Sequence, residues 1–201
     1  MDDEIQTLDK SLTTYVIPIN AIQNCKYRER RVEHFVISFA NYMSKDSQVY
    51  TVKQAIEKAM KYCSYQERCQ MEVRNKLRDF QITADEREEV IMELIQQNFL
   101  NEERFSKAFS RGKFRLKRWG RKKIELALRQ KQISSNCISI GLTEIDSQEY
   151  HEVLQKLIER IWVKYQGIQN YKRVAKTAQY IIGRGFEPHL VWDELKQYSN
   201  D

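Results

Sequence analysis

The chain has 201 residues, with 34 Lys plus Arg against 28 Asp plus Glu and a formal charge of +6. At 41% apolar and 31% charged it can bury a core and is too apolar for disorder throughout, and no run reaches the ~18 consecutive apolar residues of a membrane helix. Six Gly and two Pro lie well below the usual ~7% and ~5%, which excludes a turn-rich all-β fold and points to a helical protein.

Residues 1–33 have mixed polarity, weak periodicity and Pro18, and read as an extension with little order. The acidic start Met1-Asp2-Asp3-Glu4, with no apolar stretch behind it, argues against a signal peptide. His34 to Tyr42 is a short apolar run whose period does not separate strand from helix. From Val52 the spacing becomes helical, with Ala55, Ile56, Ala59, Met60 and Cys63 on one stripe. Ser64 and Glu67 have capping-box spacing ahead of the stripe Cys69, Val73, Leu77. Thr83 and Glu86 repeat that spacing ahead of Val90, Ile91, Leu94 and Ile95. Asn98 fits a helix end, and Asn101 fits a new N-cap followed by Glu102 and Glu103 in the first turn.

The pattern then recurs. Val73, Leu77, Ile82, Ile91 and Leu94 reappear 51 residues on as Ile124, Leu128, Ile133, Leu142 and Ile145. A looser third set, Thr177, Ile181, Phe186 and Leu195, lies 53 further on. Its Gly183-Arg184-Gly185-Phe186 turn is expected to have no counterpart in the other copies. The expected fold is all-α: a tandem, elongated and curved array of three three-helix repeats. The repeats fall at about 52–100, 101–147 and 148–197, within a helical domain 51–197 that follows an N-terminal extension 1–50.

Charge is concentrated in one place. Residues 104–131 carry 12 basic and 1 acidic group, more than the whole excess. Such a run is the footprint of a polyanion or an acidic protein surface. On the first helix of the segment, Phe105, Ala108, Phe109, Gly112 and Leu116 form the expected core stripe, beside a stripe of Arg104, Lys107, Arg111, Arg115 and Arg118. Trp119-Gly120 breaks the helix, with Gly120 expected at positive φ and Trp119 plugging the helix junction. Arg121, Lys122 and Lys123 open the next helix and make its N-terminus an expected anion site, while Arg129 and Lys131 extend the patch.

No catalytic constellation accompanies these cations. GxxxxGK[ST], HExxH, GxSxG and CxxC are absent. Cys25, Cys63, Cys69 and Cys137 read as reduced thiols, Cys63 and Cys69 lack a neighbouring His for zinc, and His34, His151 and His189 stand apart. Only Glu125 lies within the basic stretch, too few carboxylates for a metal-dependent nuclease. No enzyme activity, cofactor or metal is expected, and no membrane association.

Asn98-Phe99-Leu100-Asn101-Glu102-Glu103-Arg104-Phe105, then Trp119-Gly120-Arg121-Lys122-Lys123-Ile124, then Leu128-Arg129-Gln130-Lys131-Gln132-Ile133 resemble the central signature of the RecX family. Tyr62-Cys63-Ser64 with Leu77, and Tyr180 to Phe186, resemble its first and third repeat signatures, so the resemblance covers about 52–197. It implies a cytoplasmic, monomeric regulator of three tandem three-helix units, in recombination and repair. Such a protein binds the RecA recombinase and its filament on single-stranded DNA, restrains ATPase and strand exchange, and binds DNA weakly by itself. Gln132 stands where the family has Gly, and Phe80-Gln81 fills the equivalent place in the first unit, so altered turns are expected there. The alternative, from the charge alone, is an autonomous nucleic-acid-binding protein without a recombinase partner.

Overall fold

A computed structural model of the protein describes residues 49–199; the expectations for residues 1–48, including the His34–Tyr42 run, lie outside the described residues. Among the described residues there are nine α-helices and no strand. They group in threes: α1 (Val52–Tyr65), α2 (Gln70–Leu77) and α3 (Ala84–Gln96); α4 (Glu102–Lys117), α5 (Arg121–Gln130) and α6 (Ser135–Thr143); α7 (Ser147–Lys164), α8 (Asn170–Gly183) and α9 (Pro188–Ser199).

Most helix starts follow local capping chemistry. Thr51 opens α1 with a capping box to Gln54, and Thr83 opens α3 with one to Glu86. The side chains of Asn101, Ser134 and Asp146 accept the backbone N–H of Arg104, Cys137 and Glu149. The Ser64–Glu67 box does not form. Ser64 lies inside α1 and its hydroxyl donates to the Met60 carbonyl at 2.8 Å, the local bond that competes with capping. The next helix is instead capped five residues later by Cys69, whose N–H donates to Glu72 Oε2 at 3.3 Å.

The Gly183–Phe186 turn does have counterparts in the other two repeats, and the turns at Gln81 and Gln132 are not altered. Gln81, Gln132 and Gly185 occupy the same position before Ile82, Ile133 and Phe186, with φ of 54°, 61° and 92°. The glutamines therefore keep the left-handed turn at a local cost of about 1–2 kcal/mol each, and the third repeat relieves that cost with glycine.

Two cores result. One belongs to the first repeat and centres on Ala55, Val73, Leu77, Val90 and Leu94, with Tyr50 stacked on Phe80 at 4.8 Å. The other is shared by the second and third repeats, and Cys69, the N-cap of α2, reaches into it. Ile95, expected inward, is exposed. The buried face of α4 also differs from its apolar stripe: it consists of Phe105, Ser106, Ser110 and Phe114, whereas Leu116 is 82% exposed. The serines are small enough for α6 to close on α4, and a methyl group at Gly141 would sit 2.1 Å from Ser106 Oγ. Apolar spacing alone cannot register a buried serine.

Candidate interaction surface

The basic segment is built around the junction between the second and third repeats. Arg118 ends α4 in the left-handed region (φ 51°), so the turn's positive φ sits there and not at Gly120, which is extended at φ −74°. Gly120 is needed for a different reason: an added Cβ would meet the Gly185 carbonyl oxygen at 2.1 Å. Backbones interlock across this contact. The Gly120 N–H donates to Arg184 O at 2.9 Å and the Lys122 N–H to Gly185 O at 3.0 Å. The Arg184 guanidinium returns bonds to the carbonyls of Lys117 and Arg118.

The expected anion site at the start of α5 is therefore occupied by the protein itself. The Arg121 N–H donates to Tyr150 Oη at 3.1 Å. The Arg121 guanidinium lies 4.2 Å over the Tyr150 ring and donates to Ile145 O at 3.1 Å and Ser147 Oγ at 3.4 Å. Tyr150 in turn donates to Glu187 Oε2 at 2.6 Å and stacks with Phe114 and Phe186. Burial, and then the Glu187 carboxylate, push the Tyr150 hydroxyl well above the usual phenol range, so it remains a donor.

The remaining cations sort by what they meet. Arg104 bonds Glu67 at 2.6 Å and the Asn98 carbonyl at 3.0 Å, and Lys131 pairs with Glu72 at 2.7 Å; both tie the first repeat to the second. Lys107 pairs with Glu103 at 2.7 Å, Arg111 with Glu144 at 3.7 Å and Arg115 with Glu149 at 3.5 Å. The Glu103 bond raises the Lys107 pKa. Arg129 pairs with Glu125 at 2.8 Å, and Lys122 approaches the same carboxylate at 3.9 Å. Carboxylates remote in sequence thus pair four of the twelve cations, and Glu103 and Glu125 pair three more locally.

A different subset meets no carboxylate within ion-pair reach among the described residues: Lys113, Lys117, Arg118 and Lys123. Lys113 and Lys123 flank the half-buried Trp119 ring at 5.2 and 4.9 Å, and Lys113 also lies 5.0 Å from Phe109. Lys113 and Lys117 border a groove of about 480 Å³ whose apolar wall includes Phe109, Gly112 and Leu116. The stripe of threes and fours passed over both lysines. Their signal in the sequence was aromatic proximity, Phe109 one helical turn before Lys113, with Trp119 just beyond the helix end. Among the described residues no cluster of His, Cys, Asp or Glu could hold a metal ion, and no helix is long and apolar enough to cross a membrane.

Family models for RecX match in tandem along the chain: the first three-helix domain over residues 55–94, the second over 101–142 and the third over 148–195. The chain belongs to the RecX family. Relatives named regulatory protein RecX include that of Lactobacillus johnsonii, 31% identical over 151 residues, covering 73% of this chain and 55% of that protein. The Lactobacillus gasseri protein is 28% identical over 137 residues, 68% of this chain and 50% of its own length. The chain thus spans about half the length of these two curated relatives. The Streptococcus uberis protein is 25% identical over 195 residues, 94% of this chain and 74% of that protein. The crystal structure of RecX from Lactobacillus salivarius superposes with a TM-score of 0.66 at 25% identity, over 73% of this chain and 95% of that one. The RecX assignment places the paired cations and the Lys113–Trp119–Lys123 cluster in the family's second three-helix domain.

Proposed function

We propose that this chain is a non-enzymatic regulator of the RecA recombinase, acting as a cytoplasmic monomer in recombination and repair. It docks on the RecA filament formed on single-stranded DNA and restrains ATP hydrolysis and strand exchange. The observation that carries this reading is the tandem match of all three RecX domains across residues 55–195. A regulator shifts a filament only by preferring one of its states, so the contact surface must be held in fixed geometry. The interlock of Gly120 with Gly185 supports such fixation beside the cationic cluster.

Within that surface, Lys113, Lys117, Arg118 and Lys123 are the contact groups, joined by Lys122, whose 3.9 Å approach to Glu125 is the loosest ion pair of the run. Arg104, Arg121 and Lys131 hold helices together behind them, and Lys107, Arg111, Arg115 and Arg129 are already ion-paired and contribute less. The test is the single-strand-dependent ATPase of RecA titrated with this protein at fixed salt. Loss of turnover at substoichiometric protein is expected, with binding to naked strand too weak to compete for DNA. The Lys113→Glu, Lys122→Glu, Lys123→Glu variant is expected to lose the restraint while keeping its helicity. Unchanged turnover with folded wild-type protein refutes the recombinase reading, and full restraint by the triple variant removes the cationic cluster from it.

A further inference from the structure

The first repeat is joined to the second more lightly than the second is to the third. The second and third repeats share a core and interlocked backbones, whereas the core of the first repeat takes in no residue of the second among those described. Across that boundary the apolar contact comes from buried Cys69 and half-buried Met71. The rest is ionic. Arg104 meets Glu67 at 2.6 Å and Lys131 meets Glu72 at 2.7 Å, and all four side chains are partly open to water. Both carboxylates lie in one short stretch, residues 66–72, which runs from the end of α1 into the first turn of α2. Arg68 of that stretch stacks on Tyr62 of α1 at 4.2 Å, which ties the stretch to the first repeat.

The same stretch closes one side of the groove of about 480 Å³ that Lys113 and Lys117 border. Glu67 and Glu72 line it from the first repeat, and Phe109, Lys113, Lys117 and Lys131 line it from the second. Lys113 and Lys131 share the Phe109 ring, at 5.0 and 5.8 Å from its centre. The second repeat therefore offers cations beside an apolar wall, a setting made for carboxylates, and the first repeat fills it with its own. Lifting the stretch away would add Arg104 and Lys131 to the unpaired Lys113 and Lys117. A pivot for that movement lies between α3 and α4, where Asn98 takes a positive φ of 59° and Asn101 caps the next helix.

We propose that residues 66–72 form an autoinhibitory strap: Glu67 and Glu72 occupy Arg104 and Lys131 in place of an acidic protein surface, which takes those cations when the first repeat swings away. The partner is an acidic protein surface because the groups it replaces are two carboxylates beside an apolar wall. Ion pairs partly open to water are weak and screened by salt, so a competing pair of carboxylates can displace them. The shared core and backbone bonds of the second and third repeats do not yield in that way. That the acidic surface belongs to the recombinase rests on the proposed function; the strap itself does not.

The test follows alkylation of Cys69 in the full chain by mass spectrometry, because that thiol is buried at the boundary the strap holds shut. Glu67→Gln with Glu72→Gln is expected to raise its alkylation rate about fivefold. Cys63, inside the first repeat's own core, is expected to stay protected. Glutamine at 72 keeps an oxygen for the Cys69 N–H, so the cap of α2 survives. Raising salt from about 0.1 to 1 M, which shortens the screening length from about 10 to about 3 Å, is expected to act on wild type in the same direction. Unchanged protection of Cys69 in the variant overturns the strap. So does exposure of Cys63 together with Cys69, which makes the pairs a support of the fold. In the RecA ATPase assay the same variant is expected to restrain turnover at about fivefold lower concentration than wild type. Arg104→Gln with Lys131→Gln, equally open at Cys69 but without the cations, is expected to show no such gain. Glu89→Gln with Glu93→Gln, the same charge change outside the groove, is expected to match wild type. Equal restraint by wild type and the Glu67→Gln, Glu72→Gln variant overturns the masking. Wild type that restrains nothing refutes the recombinase reading and leaves the Cys69 result to decide the strap, so the two fail separately.

Discussion

Replacing Gly120 with alanine tests how rigidly the second and third repeats are joined. The new methyl group would lie 2.1 Å from the Gly185 oxygen, 2.2 Å from its carbonyl carbon and 2.3 Å from the Phe186 nitrogen. All three are backbone atoms, so no rotamer change relieves the contact. The turn must retreat by roughly 1.3 Å to reach ordinary van der Waals separation, which moves Phe186 against Tyr150. It also stretches the bonds from Gly120 N–H to Arg184 and from Lys122 N–H to Gly185. Overpacking of this kind costs about 1–3 kcal/mol and two weakened backbone bonds about 1 kcal/mol more, for a total near 3 kcal/mol. For a domain of this size that lowers Tm by about 6–12 °C, read from thermal unfolding followed by circular dichroism. Gly112→Ala is the matched control: nothing lies within 4 Å of its added methyl, and a mid-helix Gly→Ala change is expected to stabilise by about 0.5–1 kcal/mol. A Gly120→Ala Tm within about 2 °C of wild type would refute the interlock as a rigid joint.

Thr177 is fully buried with an unpartnered hydroxyl, at the position held by Val73 and Ile124 in the other repeats, so Thr177→Val is expected to stabilise by about 1 kcal/mol in urea unfolding. The two hydrogen bonds from Arg74, both 2.8 Å, hold the Glu88 carboxyl below its usual value of 4.5. That contribution is fully present above about pH 4.5 and is lost as pH falls through the lowered folded value; Glu88→Gln is therefore expected to lose less stability than wild type below pH 4.5 in urea titrations. Burial pushes the Cys63 thiol up to about 11, so mass spectrometry of native protein alkylated at pH 8 is expected to find Cys63 unmodified while partly exposed Cys137 reacts.

Local chemistry made much of the array legible. Thr83 with Glu86, and Asn101 with its acidic first turn, are interactions between residues three apart, and the repeated set from Val73 to Ile145 marks which helix faces go inward. The basic run and the RecX signature were likewise visible in order and spacing alone. Three things were decided only by the tertiary structure. The buried face of α4 includes Ser106 and Ser110 because α6 must come close, which no apolar count reveals. Gly120 is required by Gly185, 65 positions away in the chain, rather than by its own φ. Four of the twelve cations in the run are paired by Glu67, Glu72, Glu144 and Glu149, supplied by elements distant in sequence, so the lysines around Trp119 stand out from the rest. Capping and periodicity act over a few residues and are written in the chain, whereas ion pairing and close backbone approach depend on which helices become neighbours in space.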